Sequence, residues 1–182
     1  MPQRAFRCQV RLALSDIDRG IYADRVISIA QEPDEPDEHI LLRFLSFVFF
    51  YDERLRDAGG WTHIAEPDLI ADDLVGDVSL VIECGMPQKI KRLVKALGRY
   101  KDARIIIVLL TDDDASLLKK ELASSRARNV ERLEIYRVSP ALMAGLEAIG
   151  SRSMAWTATI NEKLLYLDCD GTVLEGGLVP VP

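Results

Sequence analysis

The sequence predicts an α/β (α+β) chain in which a mixed β-sheet is flanked by helices, and three observations carry that reading. Residues 6–14 alternate, with Phe6, Cys8, Val10, Leu12 and Leu14 on one side and Arg7, Gln9 and Arg11 on the other, the period of a half-exposed strand. Leu41, Leu42, Leu45, Val48 and Phe49 recur instead at the spacing of one helix face. The run Ile105-Ile106-Ile107-Val108-Leu109-Leu110 is apolar on both faces, as a central parallel strand must be.

The remaining elements follow from local chemistry. Asp16-Ile17-Asp18-Arg19-Gly20 is a turn, so residues 6–14 and 21–30 form an N-terminal hairpin. The acidic loop 32–37 leads into a helix over 37–55, because carboxylates suit the positive end of a helix. Gly59-Gly60 closes that region, and residues 61–85 read as two strands with a turn near Asp72-Asp73. Pro87 opens a helix whose Ile90, Leu93, Val94 and Leu97 face inward. A helix over 113–124, a strand over 133–138 and a helix over 140–149 come next. Short antiparallel strands over 154–160, 163–168 and 172–175 finish the chain, and the N- and C-terminal strands are expected to pair. With no repeat, linker or low-complexity tract, residues 1–182 are expected to form a single domain.

Composition bounds the function. The 182 residues are 48% hydrophobic, enough to bury one good core. A net charge of −6 opposes coating a nucleic acid over the whole surface, so phosphate binding has to be local. The early apolar run Leu12–Leu14 is too short for a signal peptide, and residues 44–51 are bounded by charge rather than membrane-spanning. A cytoplasmic protein with no membrane partner is expected. No long apolar stripe asks for a second subunit, so the expected state is a monomer. Cys8, Cys84 and Cys169 are widely spaced and only His39 and His63 accompany them, which argues against zinc and for buried thiols.

Several motifs resolve into ordinary structure. Leu164-Leu165-Tyr166-Leu167-Asp168-Cys169-Asp170-Gly171-Thr172 resembles the first motif of haloacid-dehalogenase-like phosphatases, whose Asp is a nucleophile. That chemistry needs further residues later in the chain and only ten follow Thr172, so the segment is read as a hairpin turn with Gly171 at positive φ. Thr111-Asp112-Asp113-Asp114 reads as a helix cap. Neither histidine belongs to a nucleophilic triad, and both are expected at the surface or as caps.

The informative constellation is acidic, then basic. Glu66-Pro67-Asp68 and Val81-Ile82-Glu83-Cys84-Gly85 place acids on and beside a strand. From Pro87 to Lys101 the chain then carries Lys89, Lys91, Arg92, Lys95, Arg99 and Lys101 without a single acid. Oxygen ligands for a hard cation beside positive charge for phosphate outline a metal-assisted phosphodiester site. For any one lysine a solvated helix face is the simpler explanation, but exposed helices commonly interleave signs. Glu83 is sharper: it follows Leu80-Val81-Ile82 on a strand expected to be buried, where a carboxylate without its partner costs on the order of 3–5 kcal/mol. Either a basic side chain or a cation has to stand beside it.

At these residues the chain resembles the YaeQ family of bacterial proteins almost end to end. Asp16-Ile17-Asp18-Arg19-Gly20-Ile21-Tyr22 is similar to the family's opening hairpin, and Glu38 with Leu42-Arg43-Phe44-Leu45 and Tyr51-Asp52-Glu53-Arg54-Leu55 to its first helix. Glu66-Pro67-Asp68-Leu69, Gly76-Asp77 and Ile82-Glu83-Cys84-Gly85-Met86-Pro87 match its central segment. The resemblance implies a variant of the restriction-endonuclease-like PD-(D/E)XK fold, in which a helix glutamate and two strand acids hold Mg²⁺ while a lysine positions water. Carried over, Glu38 is the helix carboxylate, Glu66 the first strand acid and Glu83 the second. Relatives carry Asp and Trp where this chain has Ser79 and Val81, so Asp77 is expected to supply the further metal ligand. The superfamily's lysine falls at Gly85, so Lys91 or else Lys89 has to reach back, while Lys89, Arg92, Lys95 and Arg99 hold the nucleic-acid backbone. The implied function is Mg²⁺-dependent hydrolysis of nucleic-acid phosphodiesters. The missing lysine and strand Asp give the alternative, an inactive nuclease fold that binds nucleic acid or a protein partner.

Overall fold

The computed structural model describes residues 6–59, 61, 66–85, 90–150 and 154–182. In chain order its elements begin with β1 (Phe6–Asp16), β2 (Ile21–Gln31), α1 (Asp37–Phe49), β3 (Arg56–Asp57), β4 (Leu69–Asp72) and β5 (Val78–Cys84). They continue with α2 (Ile90–Arg99), β6 (Arg104–Leu109), α3 (Asp112–Ser124), a 3₁₀ turn (Val130–Arg132) and β7 (Leu133–Val138). α4 (Pro140–Ile149), β8 (Met154–Asn161), β9 (Leu164–Cys169) and β10 (Thr172–Pro180) complete them. Among the described residues the result is an α+β protein with a mixed sheet and four α-helices. Its contacts gather into two compact units, one of Met1–Phe50 with Val138–Leu178 and one of Tyr51–Arg137 with Val179–Pro182. Among the described residues no helix is long and apolar enough to cross a membrane.

In the first unit the strand order is β2-β1-β8-β9-β10. The expected N-terminal hairpin is present, in unbroken register from Phe6↔Gln31 to Asp16↔Ile21. The expected pairing of the chain's two ends is also present, as β1 running parallel to β8. Val10, Leu12, Leu14, Ile27 and Ile29 point from this hairpin into the core, where Phe44 of α1 meets Trp156 of β8 edge to face at 5.9 Å. Asp18 fastens the two hairpins together: its carboxylate accepts the Glu162 and Lys163 N–H groups at 2.8 and 2.7 Å. Those two residues make the β8–β9 turn at φ +52° and +65°, the left-handed pair a tight hairpin requires. Asp16 in turn accepts the Arg19 N–H at 3.0 Å and its Nε at 2.5 Å, so the acidic opening motif is structural.

The phosphatase-like segment is the two-residue hairpin Asp170-Gly171 between Cys169 and Thr172, with φ +49° and +93°. The thiol of Cys169 beside it is pushed up to about 12 by burial and then by the charges of Asp170 and Asp168. β10 runs on to Pro180 through Gly176, beyond the expected end at 175. Glycine is needed there because a Cβ would land on Ser139 Oγ and Leu142 Cβ of the α4 start.

In the second unit the order is β7-β6-β5-β4-β3, with β5, β6 and β7 parallel and β4 antiparallel to β5. The buried Ile105–Leu109 run is the middle strand of the parallel trio, as its two-faced apolarity requires. Ile70, Val81, Ile105 and Ile107 meet Leu93 and Leu97 of α2 and Leu118 of α3 in one core. Thr111 caps α3 reciprocally with Asp114, the capping role expected for that acidic cluster.

Two further elements differ from expectation. α1 stops at Phe49 rather than 55, because Phe50 leaves helical geometry and Asp52 accepts the Arg54 N–H at 2.7 Å in a new turn. The two-residue β3 is too short to produce a periodic signal. Pro87, Gly60 and His63 lie outside the described residues.

Candidate functional site

The β4–β5 hairpin brings two acids face to face. Its register pairs Leu69 with Ile82, so one further step sets Asp68 across from Glu83. Both side chains share the sheet face of Ile70 and Val81, the face that α2 covers, and both have zero exposure. Like charges directly across a strand pair repel, and burial multiplies the cost. Asp68 Oδ2 accepts the Cys84 N–H at 2.7 Å, which fixes the pair but leaves its charge.

Arg92 supplies the missing charge. It sits on α2, one residue before the core residue Leu93, and is only 7% exposed. Its Nε donates to Glu83 Oε1 at 2.8 Å and its Nη2 to Glu83 Oε2. The same Nη2 stands 3.3 Å from Asp68 Oδ1, so one guanidinium spans both carboxylates. Burial pulls the Arg92 pKa down, but the bond and charge of Glu83, then of Asp68, outweigh it and raise it above the ordinary arginine value. The positive group beside Glu83 is thus a basic side chain.

Arg92, expected to hold a nucleic-acid backbone, is instead turned inward. Lys91 is exposed: one step along a helix rotates a side chain by about 100°, which turns it away from the acids that Arg92 faces. Glu66 is exposed in a bend, and the buried acid of this segment is Asp68 two residues on. Asp77 is exposed in the turn at the opposite end of β5, where its N–H donates to Asp73 Oδ1 at 2.9 Å. Six residue steps along the strand separate it from Glu83, about 20 Å, so the two do not share an ion. Glu38 is exposed in the first turn of α1 and belongs to the other unit. Lys89 lies outside the described residues. Gly85, at the position of the motif lysine, has φ +70°, a conformation that disfavours any side chain, and its N–H closes onto Val108 O at 2.7 Å.

Whether Mg²⁺ fits can be judged from the donors. Carboxylate oxygens are the right kind, but the point where Asp68 and Glu83 converge is filled by the guanidinium. Among the described residues no three His, Cys, Asp or Glu side chains gather as a metal's ligands would. With Arg92 in place the residues do not fit the ion.

α2 also carries an outward ridge. Lys91, Lys95 and Arg99 are exposed and spaced i, i+4, i+8, and the Arg99 guanidinium lies 5.1 Å from the Tyr100 ring centroid. Pro67, Val81, Glu83, Arg92, Lys95 and Tyr100 line a narrow crevice beneath it.

A second buried charge cluster lies in the first unit. Glu35 Oε1 accepts Arg43 Nη1 at 2.8 Å and pairs with His39 Nδ1, while Oε2 accepts the Glu32 N–H at 3.0 Å. Burial pushes the Glu35 pKa up, but the His39 bond and the Arg43 charge pull it further down, to a net value below 4.5. His39, expected at the surface or as a cap, is 4% exposed because it completes this cluster.

These features define an α+β protein with a buried acid–arginine centre between a β-hairpin and the helix that follows it. Residues 1–176 match the family model described as YaeQ protein, and the chain belongs to that family. It is 26% identical over 166 residues to YaeQ of Escherichia coli K12, covering 91% of this chain and 89% of that one. It is also 26% identical over 155 residues to YaeQ of Salmonella typhi, covering 85% and 83%. The crystal structure of YaeQ protein from Xanthomonas axonopodis pv. citri superposes with a TM-score of 0.81 at 27% identity, covering 97% of both chains. That of YaeQ protein from Pseudomonas syringae gives 0.81 at 22% identity over 98% and 96%, a likeness of fold.

Proposed function

We propose that this chain is a PD-(D/E)XK-type nuclease fold that binds nucleic acid without hydrolysing it. The observation that carries the reading is the division of α2 into two faces. Its inward Arg92 neutralises Asp68 and Glu83, the acids a metal would need, while Lys91, Lys95 and Arg99 stand exposed with no acid in the helix. On this reading Pro67-Asp68 and Glu83-Cys84-Gly85 are the remnant of the acidic motif, with Asp68 in the place first given to Glu66. Gly85 takes a backbone conformation that a lysine would strain to adopt. Phosphate binding needs only positive charge on a rigid element, which α2 provides.

A second reading, a Mg²⁺-dependent hydrolase, requires Arg92 to leave the point on which the Asp68 and Glu83 carboxylates converge. Purified protein incubated with Mg²⁺ or Mn²⁺ and plasmid DNA, oligonucleotides or RNA separates the two. Retention of labelled nucleic acid at low salt, without cleavage, supports the proposal. Metal-dependent cleavage that Glu83→Gln abolishes overturns it in favour of the hydrolase. Absence of nucleic-acid binding at about 50 mM salt, where each phosphate contact counts most, overturns both the binding reading and its partner class.

A further inference from the structure

The sheet of the first unit carries its helices on one face only. α1 and α4 lie on the core face, where Phe44 meets Trp156 and Gly145 packs under Leu174. On the opposite face the strand registers align side chains into rows. One row runs Tyr22, Ser15, Thr159, Tyr166 and Glu175 across β2, β1, β8, β9 and β10. Another carries Arg11 on β1, Ala155 on β8 and Asp170, whose N–H donates to Ala155 O at 3.2 Å. From Ala155 to Thr159 the middle strand β8 presents only small side chains here, those of Ala155, Thr157 and Thr159. Charge is divided from side to side. Arg7 and Arg11 stand exposed on β1, whereas Asp168, Asp170 and Glu175 stand exposed on the β9–β10 side. Arg11 forms no ion pair among the described residues. With Asp24 on β2, acids outnumber bases on the face, which disfavours phosphate. Such a face is complemented by a protein surface with the two signs on reversed sides. A second copy of this chain, turned over, is such a surface.

We infer that two copies pack sheet to sheet through this face, about a two-fold axis that runs along β8. That rotation sets β1 of each copy over β9 of the other, β2 over β10, and β8 over β8. Arg11 then faces Asp170 of the second copy, and Tyr22 faces Glu175 of the second copy, each contact made twice. Ala155, Thr157 and Thr159 meet their own counterparts on the axis, where small side chains let two sheets approach to about 10 Å. Five strands span about 24 Å and six residue steps about 20 Å, a flat area of roughly 480 Å² per copy. A stable interface buries about 800 Å² per partner, so a weak dimer is expected, with Kd between about 1 and 100 µM. This face and α2 belong to different units, so dimerisation stands apart from nucleic-acid binding.

Sedimentation velocity of the full chain, from about 1 to about 200 µM, tests it. At about 50 mM salt the chain should pass from monomer to dimer across that range, and about 0.5 M salt should weaken the association at least about threefold. Thr157→Arg sets like charges against each other on the axis and should leave only monomer. Its Tm should match the parent's, because Thr157 is exposed. Arg11→Glu should weaken the dimer at least about tenfold by placing an acid opposite Asp170. Asp170→Asn, tolerated at the positive φ of that turn, should weaken the parent dimer by removing an ion pair. In the Arg11→Glu background the same substitution should strengthen the dimer, because there it removes a repulsion. A chain that stays monomeric throughout the range overturns the inference. A dimer that survives Thr157→Arg overturns it as well, since another surface then holds the copies together. So does an Asp170→Asn effect of the same sign in both backgrounds.

Discussion

Replacing Arg92 by Met keeps most of the side chain's length and apolar stem while removing the charge that Glu83 and Asp68 share. Arg92 makes two bonds to Glu83 and a 3.3 Å contact with Asp68, and both acids have zero exposure. Removing one partner of a buried ion pair costs about 3–5 kcal/mol, chiefly because the remaining charge stays desolvated. With two acids deprived, the upper half of that range is expected. For a chain of this size each kcal/mol lowers Tm by about 2–4 °C, so Arg92→Met should melt roughly 8–20 °C below the parent. The pH dependence is more diagnostic than the loss. A buried carboxyl without its cation has a raised folded pKa, so the variant's deficit is full above that value. It shrinks as the pH falls toward the ordinary carboxylate range, where both acids are neutral in the folded state. Adding Glu83→Gln to Arg92→Met should recover part of the loss and reveal a coupling of at least about 1–3 kcal/mol in the cycle. The assay is urea unfolding of the four proteins of that cycle between about pH 5 and pH 8. A loss below about 1 kcal/mol, or one constant across that range, refutes the assignment of Arg92 as the charge that holds the acids.

Gly176→Ala should cost about 1–3 kcal/mol or more by urea unfolding, since its Cβ would land on Leu142 Cβ, which the α4 backbone holds in place. Asp18→Ala should cost about 1–3 kcal/mol by removing the acceptor of two turn N–H groups, and Asp18→Asn less, because one acceptor oxygen remains. Glu35 has a depressed folded pKa, so its contribution is present above the ordinary 4.5 and is lost as pH falls through the lower folded value. Glu35→Gln should therefore flatten the acid limb of a stability-against-pH curve, and an unchanged limb would remove Glu35 from the account.

The strands of the second unit were legible because Ile105–Leu109 has no polar residue to contradict a buried reading, and the first hairpin because its alternation is unbroken over 6–14. Helix α1 was overextended because Leu55 continues the apolar spacing, whereas a turn at Asp52 ended the helix. The acids divide in the same way. Glu83 was legible as a buried charge because three apolar residues precede it on its strand. Asp68 was passed over for Glu66, although the pleat favours it: Asp68 lies two residues before the core residue Ile70 and so shares its face. Asp77 failed for the same geometric reason, since lying on β5's flank in sequence puts it a strand's length from Glu83.

The bases show what sequence reading lacked. Six cations between Pro87 and Lys101 looked interchangeable, and only the tertiary partner selects Arg92 from them. Yet spacing and sign together carry more than either alone. Glu35, His39 and Arg43 stand at i, i+4, i+8 and include an acid, so the set can neutralise itself, and it is buried. Lys91, Lys95 and Arg99 have the same spacing with no acid, so nothing within the set offsets the desolvation of its charges, and the ridge remains in water. An internally balanced ladder contributes to the fold. On the nucleic-acid reading proposed above, an unbalanced one keeps its charge for a partner that brings the opposite sign, so the ridge, rather than the buried acids, is the surface on which that reading is tested.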